Sequence, residues 1–289
     1  MVRASYRQQS ESTHLSLLGF EVSVEAPVEI LRALPTVFPS GPNWTLAAPG
    51  LAVAAFEVPD LDAEAGRYRI LRDGVVCWEG ADAMAAVGGL EWAITTAAVE
   101  RLGERYLLFH SGAVALRGEG ILLPAVAGSG KTTLVAGLLA AGFQYLSDEV
   151  AVLDLKRRTL LPFPRSLCIK SGSRPVLTPL YPALAAAPDY PRFAGDTAAY
   201  LPPPSGSWPA GPVPMKVVVL PRYLAGAPTA LVPITRARAL QGLLEQSFSA
   251  RRTGPVAITT AIEVLRDARC YALTVGDLSR AVELLHELV

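Results

Sequence analysis

At 289 residues and 51% hydrophobic composition the chain can bury a substantial core, and its length suits two modest domains better than one. Its 26 basic and 26 acidic side chains cancel, so no overall field favours nucleic acid or an anionic membrane, and any anion site must be local. The longest weakly polar run, Thr132 to Leu146, is too short to span a bilayer, and no basic segment followed by an apolar one opens the chain, so a cytoplasmic protein is expected.

In chain order, the first ten residues are polar and read as loose. Leu15 to Val24 and Leu51 to Val58 read as strands, with "SGPN" and "PG" as the turns between them. Tyr68 to Leu71 and Val75 to Trp78 flank "RDG", which predicts a hairpin with Gly74 where positive φ is needed. Ala83 to Leu102 has helical spacing despite Gly88 and Gly89, each of which costs about 1 kcal/mol relative to Ala inside a helix. This helix is expected to link an N-terminal α+β domain, residues 1–104, to a second domain, residues 105–289.

From Tyr106 the texture becomes strand, "RGEG" turn, strand, loop, helix, strand and strand, the order of an α/β nucleotide-binding core. Between Pro175 and Pro214 lie 11 of the 24 prolines, which excludes a continuous helix or central strand and predicts a long loop system. A lid, a partner site and a disordered segment all remain open for it. "KVVVL", Lys216 to Leu220, restores a buried strand; "ITRARALQGLLEQSF" predicts a helix, and "ARCYALTVGDLSRAVELLHEL" a strand with a terminal helix. Cys77, Cys168 and Cys270 lie far apart and read as buried free thiols, and the three histidines form no metal-binding pattern.

The informative stretch is "PAVAGSGKTTLVAGLLAAGFQYLSDEVAVLD". It fits the phosphate-binding loop pattern GxxxxGK[ST], with Ala125 where the first glycine is expected. Small residues let successive backbone N–H groups turn inward around phosphate oxygens, while the following helix aims its dipole at the same anion. Gly128, Ser129 and Gly130 meet that need. Lys131 would reach the β- and γ-phosphates, Thr132 would offer its hydroxyl to Mg²⁺, and Thr133 completes the cofactor-binding set. The helix from Lys131 to Ala141 ends at Gly142. Asp148 and Glu149 follow the strand "FQYL": one can hold Mg²⁺ and the other accept a proton, provided a break at the strand end lets both converge. His110 lies on or beside the strand that enters this core.

At these residues the chain resembles the HPr kinase/phosphorylase family, and more closely the HPr-kinase-related proteins of peptide-modification clusters, including lasso-peptide precursor kinases. "FHSGAVALRGEGILLP", "GSGKTT" and "YLSDEVAVLD" match its order of histidine-bearing strand, hairpin, P-loop, helix and acidic pair over about Phe109 to Asp154. The resemblance implies an α/β fold whose P-loop core is similar to HPr kinase and phosphoenolpyruvate carboxykinase. It also implies ATP- and Mg²⁺-dependent transfer of phosphate to a serine hydroxyl. Asp148 matches the catalytic aspartate, implied as the base; Glu149 falls where a second aspartate often stands and keeps the charge for Mg²⁺, with Thr132 and Asp148 as the other metal candidates. His110 matches the histidine before the P-loop, implied to orient the acid or bind phosphate. Arg165 and Lys170, in "PRSLCIK", and Arg222, in "VLPR", are the candidate cations for the transferred phosphoryl, Arg165 being grouped with Asp148 and His110 as catalytic.

An IRGLG-like second signature is absent, and residues 1–104 do not match the regulatory domain of true HPr kinases. The expected acceptor is therefore a peptide or protein with an accessible serine rather than HPr, with no nucleic acid or membrane partner and with homo-oligomerisation left open. The alternatives are a non-catalytic nucleotide-binding regulator or scaffold, a small-molecule kinase, and an unrelated P-loop hydrolase.

Overall fold

The structure is a computed structural model and describes residues 10–39, 41, 54–62, 67–192, 195–248 and 250–289. These residues form a mixed α/β protein with three sheets and seven α-helices. Ser10–Leu17 (β1) and Phe20–Pro27 (β2) make an antiparallel hairpin. The single strand expected over Leu15 to Val24 is thus two strands, because Leu18 and Gly19 both take positive φ (54° and 86°) and reverse the chain in two residues. The helix Val28–Val37 (α1) and the strands Ala54–Glu57 (β3), Asp60–Asp62 (β4), Arg67–Arg72 (β5) and Val75–Gly80 (β6) follow. The six strands form one sheet in the order β1-β2-β3-β5-β4, with β6 also on β5. The predicted "RDG" hairpin is β5–β6, turning at Asp73 and Gly74. Residues 1–9, residues 51–53 of the second predicted strand, and Ser40, Pro42, Asn43, Pro49 and Gly50 of the predicted turns lie outside the described residues.

Ala83–Leu102 (α2) spans the predicted range. Asp82 caps it, its side chain accepting from the Ala85 N–H at 2.7 Å. Buried residues occur all around this helix, as expected of a central helix rather than an amphipathic surface one. Fully buried Leu90 and Ile94 contribute about 1.5–3 kcal/mol each. Gly88 is required by packing: a Cβ there would stand 2.2 Å from the Pro191 carbonyl oxygen. The helix-interior penalty for glycine is therefore offset by close backbone approach.

The second half is built on Tyr106–Leu116 (β7), Glu119–Pro124 (β8), Lys131–Ala140 (α3), Gln144–Ser147 (β9), Val150–Asp154 (β10) and Thr159–Leu161 (β11). Leu167–Lys170 (β12), Arg174–Leu177 (α4), Tyr190–Pro191 (β13) and Thr197–Leu201 (β14) come next. Val213–Tyr223 (β15), Ala230–Pro233 (β16), Arg236–Glu245 (α5), Ala250–Arg266 (α6), Arg269–Val275 (β17) and Leu278–His286 (α7) complete the chain. The large sheet runs β11-β10-β7-β8-β15-β17-β16, with β9 also on β7, and β8, β15 and β17 are parallel neighbours.

Side chains alternate across this sheet with the period of two that strands impose. Ile121, Leu123, Val217 and Val219 pack with Leu134 and Leu138 of α3 and Leu285 of α7. Leu122 and Val218 pack on the opposite side with Leu243 of α5 and Ala261 and Leu265 of α6. The sheet is thus covered by helices on both faces, as parallel strands require.

The proline-rich segment is more ordered than the loop system expected of it. β12, β14 and β13 form a three-stranded sheet, for which the proline-free run "TAAYL" supplies the middle strand and Pro191 sits on an outer one. Helix α6 has no counterpart in the sequence reading, because Gly254 and Pro255 resemble a turn; the helix is interrupted at Gly254, whose φ is 54°. Cys168 and Cys270 are buried free thiols and Cys77 is half-buried. One apolar cluster joins Val24, Phe56 and Leu90 to Leu108, Val152 and Phe163, so the core continues across residue 104. No helix among the described residues is long and apolar enough to cross a membrane.

Candidate functional site

β8 brings the chain to Pro124, and a glycine-rich turn, Ala125 to Gly130, hands it to α3. Gly128 and Gly130 take φ of 79° and 84°, where a side chain would be strained. The turn is tied to β15, since Ser129 O accepts from the Tyr223 N–H at 3.2 Å. The first N–H groups of α3 have no intrahelical partners and, with the helix dipole, favour an anion in front of them. Lys131 is 5% exposed; its Nζ donates to the carbonyls of Ala125 (2.6 Å) and Val126 (3.1 Å) and lies 3.2 Å from His110 Nε2. Burial lowers its pKa, against the raising charges of Glu149 and Asp148. The turn borders a cavity of about 840 Å³, within the size range of small-molecule sites.

His110 is on β7 and Glu149 just before β10, and the pairing of these strands sets Val150 opposite His110. Both side chains line the cavity. His110 Nε2 is 3.1 Å from Glu149 Oε1, while Nδ1 contacts Gln246 Oε1 at 3.2 Å. With a hydrogen, Nε2 donates to Glu149; without one, it accepts from Lys131. Burial would raise the Glu149 carboxyl, but the His110 hydrogen bond and the Arg165, His110 and Lys131 charges outweigh it and hold the group at about 2.

A carboxylate lowered from 4.5 stabilises the fold in its ionised form, so this contribution is complete above about 4.5 and is lost as pH falls towards 2. The difference in guanidinium midpoint between the wild type and Glu149→Gln should therefore narrow between about pH 5 and pH 2. A difference that does not change with pH would show that the His110 hydrogen bond and the Arg165 and Lys131 charges do not hold the carboxylate ionised.

Asp148 points the other way. It is completely buried and does not line the cavity. Oδ2 accepts from Thr132 Oγ1 (3.1 Å) and the Cys168 N–H (3.0 Å), and Oδ1 from Tyr145 Oη (3.1 Å) and Arg165 Nη1 (3.0 Å). Burial pushes its carboxyl above the usual range; Arg165 pulls against this and the Glu149 charge adds to it. The two acids diverge although β9 ends before the pair: Arg165 and the Cys168 N–H hold Asp148 on one side, and His110 holds Glu149 on the other. Three donors, and a Tyr145 hydroxyl whose one hydrogen is shared with the Arg165 carbonyl (2.9 Å), crowd its oxygens behind the wall, so Asp148 is placed to hold Thr132 and the cavity-facing acid is Glu149.

Arg165, grouped with the catalytic residues by the sequence, is 1% exposed and spans two carboxylates: Asp148, and Glu91 of α2 at 2.5 Å from its Nε. Its Nη2 has no hydrogen-bond partner among the described residues. Glu91 is itself 1% exposed and also meets Tyr200 Oη (3.3 Å) and Arg192 Nη2 (3.6 Å). Lys170 lines the cavity and pairs with Asp196 at 2.6 Å, while Thr133 Oγ1 is 2.7 Å from Ser173 Oγ. Arg222 is exposed and outside the cavity lining. Gly128, Ser129, Gly130, Lys131, Thr132, Thr133, His110 and Glu149 thus share one cavity, whereas Asp148 and Arg165 lie behind its wall.

Sequence reasoning missed Glu91, Arg192, Gln246 and Tyr223. For Glu91 a signal existed: it is the first charge in a helix otherwise uncharged up to Glu100, and a lone acid there must find a partner. Gln246 carries no local signal, since it meets His110 across 136 positions.

Comparison with protein-family models and with curated proteins gives no match for this chain. The arrangement of the cavity is the basis for assigning a function.

Proposed function

We propose that the protein is an ATP- and Mg²⁺-dependent phosphotransferase that moves the γ-phosphoryl group to a serine-type hydroxyl of a peptide or protein. The observation that carries this reading is the union, in one cavity, of a glycine-rich helix start, a buried lysine, and an ionised carboxylate paired with a histidine. The turn and Lys131 suit the phosphate chain.

The residues present also suit a magnesium ion. Thr132 Oγ1 gives its one hydrogen to Asp148, which leaves its lone pairs free for a cation, and Glu149 offers an ionised oxygen from the cavity wall. When bound, the ion would neutralise phosphate oxygens. Asp148 then acts as an anchor for Thr132. The acceptor oxygen forms its bond to γ-phosphorus as the bond to the bridging oxygen breaks and ADP leaves. The hydroxyl proton passes to His110 Nε2, and Glu149 stabilises the imidazolium so formed.

A second reading, nucleotide binding without transfer, is favoured by one observation: the donors around Asp148 leave the cavity without the second free carboxylate that the acidic pair suggested. Incubation with γ-labelled ATP, Mg²⁺ and serine-bearing peptides separates the two. Labelled peptide is expected, and tight nucleotide binding with no labelled acceptor would favour the regulator. Lys131→Ala should weaken nucleotide binding by about 10- to 100-fold, the worth of a charged hydrogen bond. Unchanged affinity would remove the phosphate-binding role of the turn.

A further inference from the structure

The strands on either side of the glycine-rich turn give the cavity lining two contrasting sides. The glycine-rich turn follows β8, which lies between β7 and β15. On the β7 side stand His110 and Glu149, the groups able to handle a proton or a cation, with Lys131 Nζ reaching towards His110. On the β15 and β17 side the lining changes to Tyr223, Val275 and Leu278. Tyr223 is 54% exposed although it borders a cavity. Its Cβ is 3.3 Å from where a Gly130 Cβ would be, so the root of the ring stands against the start of α3. No ring contact or hydrogen bond involves its side chain among the described residues.

We infer that Tyr223 is the nucleobase platform of this site: the base of a nucleoside triphosphate stacks on its ring, beside Val275 and Leu278, with the phosphate chain running across the glycine-rich turn towards His110 and Glu149. This rests on the phosphotransferase reading and deepens it by fixing the direction of the nucleotide. The reacting end must lie beside the carboxylate and histidine; of the apolar stretches left in the lining, Val176, Pro179 and Leu180 offer no ring, whereas Tyr223 does, so the base is assigned to the Tyr223 side. Gly130 fits this arrangement, because a side chain there would press on the root of the platform.

Recognition by a ring face is tolerant of base identity, since every base has a π-face. Of the polar groups next to it, Asp277 Oδ1 and Thr229 Oγ1 are engaged by the fold, and the exposed Ser279 hydroxyl can both donate and accept, so it does not choose between bases. Asp277 Oδ1 accepts from the Arg280 N–H at 2.7 Å, and Thr229 Oγ1 accepts from the N–H groups of Gly276 (3.0 Å) and Asp277 (2.8 Å). Adenine and guanine nucleotides should therefore bind within a few-fold of each other.

The test measures binding of two probes to the full chain with Mg²⁺ present: a non-hydrolysable ATP analogue, and inorganic tripolyphosphate, which has the phosphates but no base. Tyr223→Ala should weaken the analogue by about tenfold or more and leave tripolyphosphate unchanged; Tyr223→Trp should keep the analogue. Equal loss for both probes, or no loss for the analogue, overturns the platform while leaving the phosphate cradle standing. If wild type binds neither probe, the phosphotransferase reading falls and the platform with it.

Discussion

Glu149→Gln is expected to slow phosphoryl transfer by about 10²–10⁴-fold, the usual worth of a positioned acid–base group, in a protein still folded at neutral pH although less stable than the wild type. The amide still accepts a hydrogen bond from His110, but it can neither stabilise an imidazolium nor offer a full charge to a cation. Asp148→Asn should behave differently. An amide puts an N–H where a donor already points, so the first effect is on Thr132, Tyr145, Cys168 or Arg165 and appears as lost stability. Melting curves and transfer rates on both variants separate the roles. Loss of transfer in a stably folded Asp148→Asn, with Glu149→Gln still active, would return the proton-accepting role to Asp148.

The second large effect concerns Arg165. Arg165→Met keeps much of the side-chain length but leaves Glu91 and Asp148, both almost wholly buried, without the cation between them. Breaking a buried ion pair from one side costs about 3–5 kcal/mol, because the remaining charge has no solvent to return to. Chemical denaturation at neutral pH should show a loss of this size. The combination Glu91→Gln and Arg165→Met should lose less than the sum of the single changes, since it removes one of the two charges that Arg165→Met alone leaves uncompensated, Asp148 keeping the other. A loss below about 1 kcal/mol for Arg165→Met would mean that the network is hydrated and does not hold the wall of the site.

Much of the scaffold was legible because local rules and tertiary structure agree. In α2 the helical spacing from Ala83 to Leu102 sets the same limits that the packing does. The glycine-rich turn and α3 were legible for the same reason: positive φ at Gly128 and Gly130 is a backbone demand written directly in residue type. The β1–β2 turn was missed because Leu18 takes positive φ without belonging to the residues that usually do so.

At the site, residue types were legible but directions were not. "DE" after a strand does not reveal which acid faces the solvent; that depends on where β9 stops and on Cys168 and Arg165, which lie 20 and 17 positions away. Arg165 and Lys170 look alike as cations in "PRSLCIK", yet one is sealed between carboxylates and the other borders the cavity. Only the three-dimensional arrangement separates them.

Glu91 also bears on how such a chain can evolve. It lies in the first 104 residues, while the guanidinium it neutralises lies in the remainder, and the two meet where water does not reach. A recombination event that exchanged residues 1–104 for an unrelated unit would deliver an arginine with half its counter-charge missing, behind the hydroxyl of Thr132. The two halves are therefore constrained to be inherited together, and drift at position 91 is limited by a residue 74 positions away.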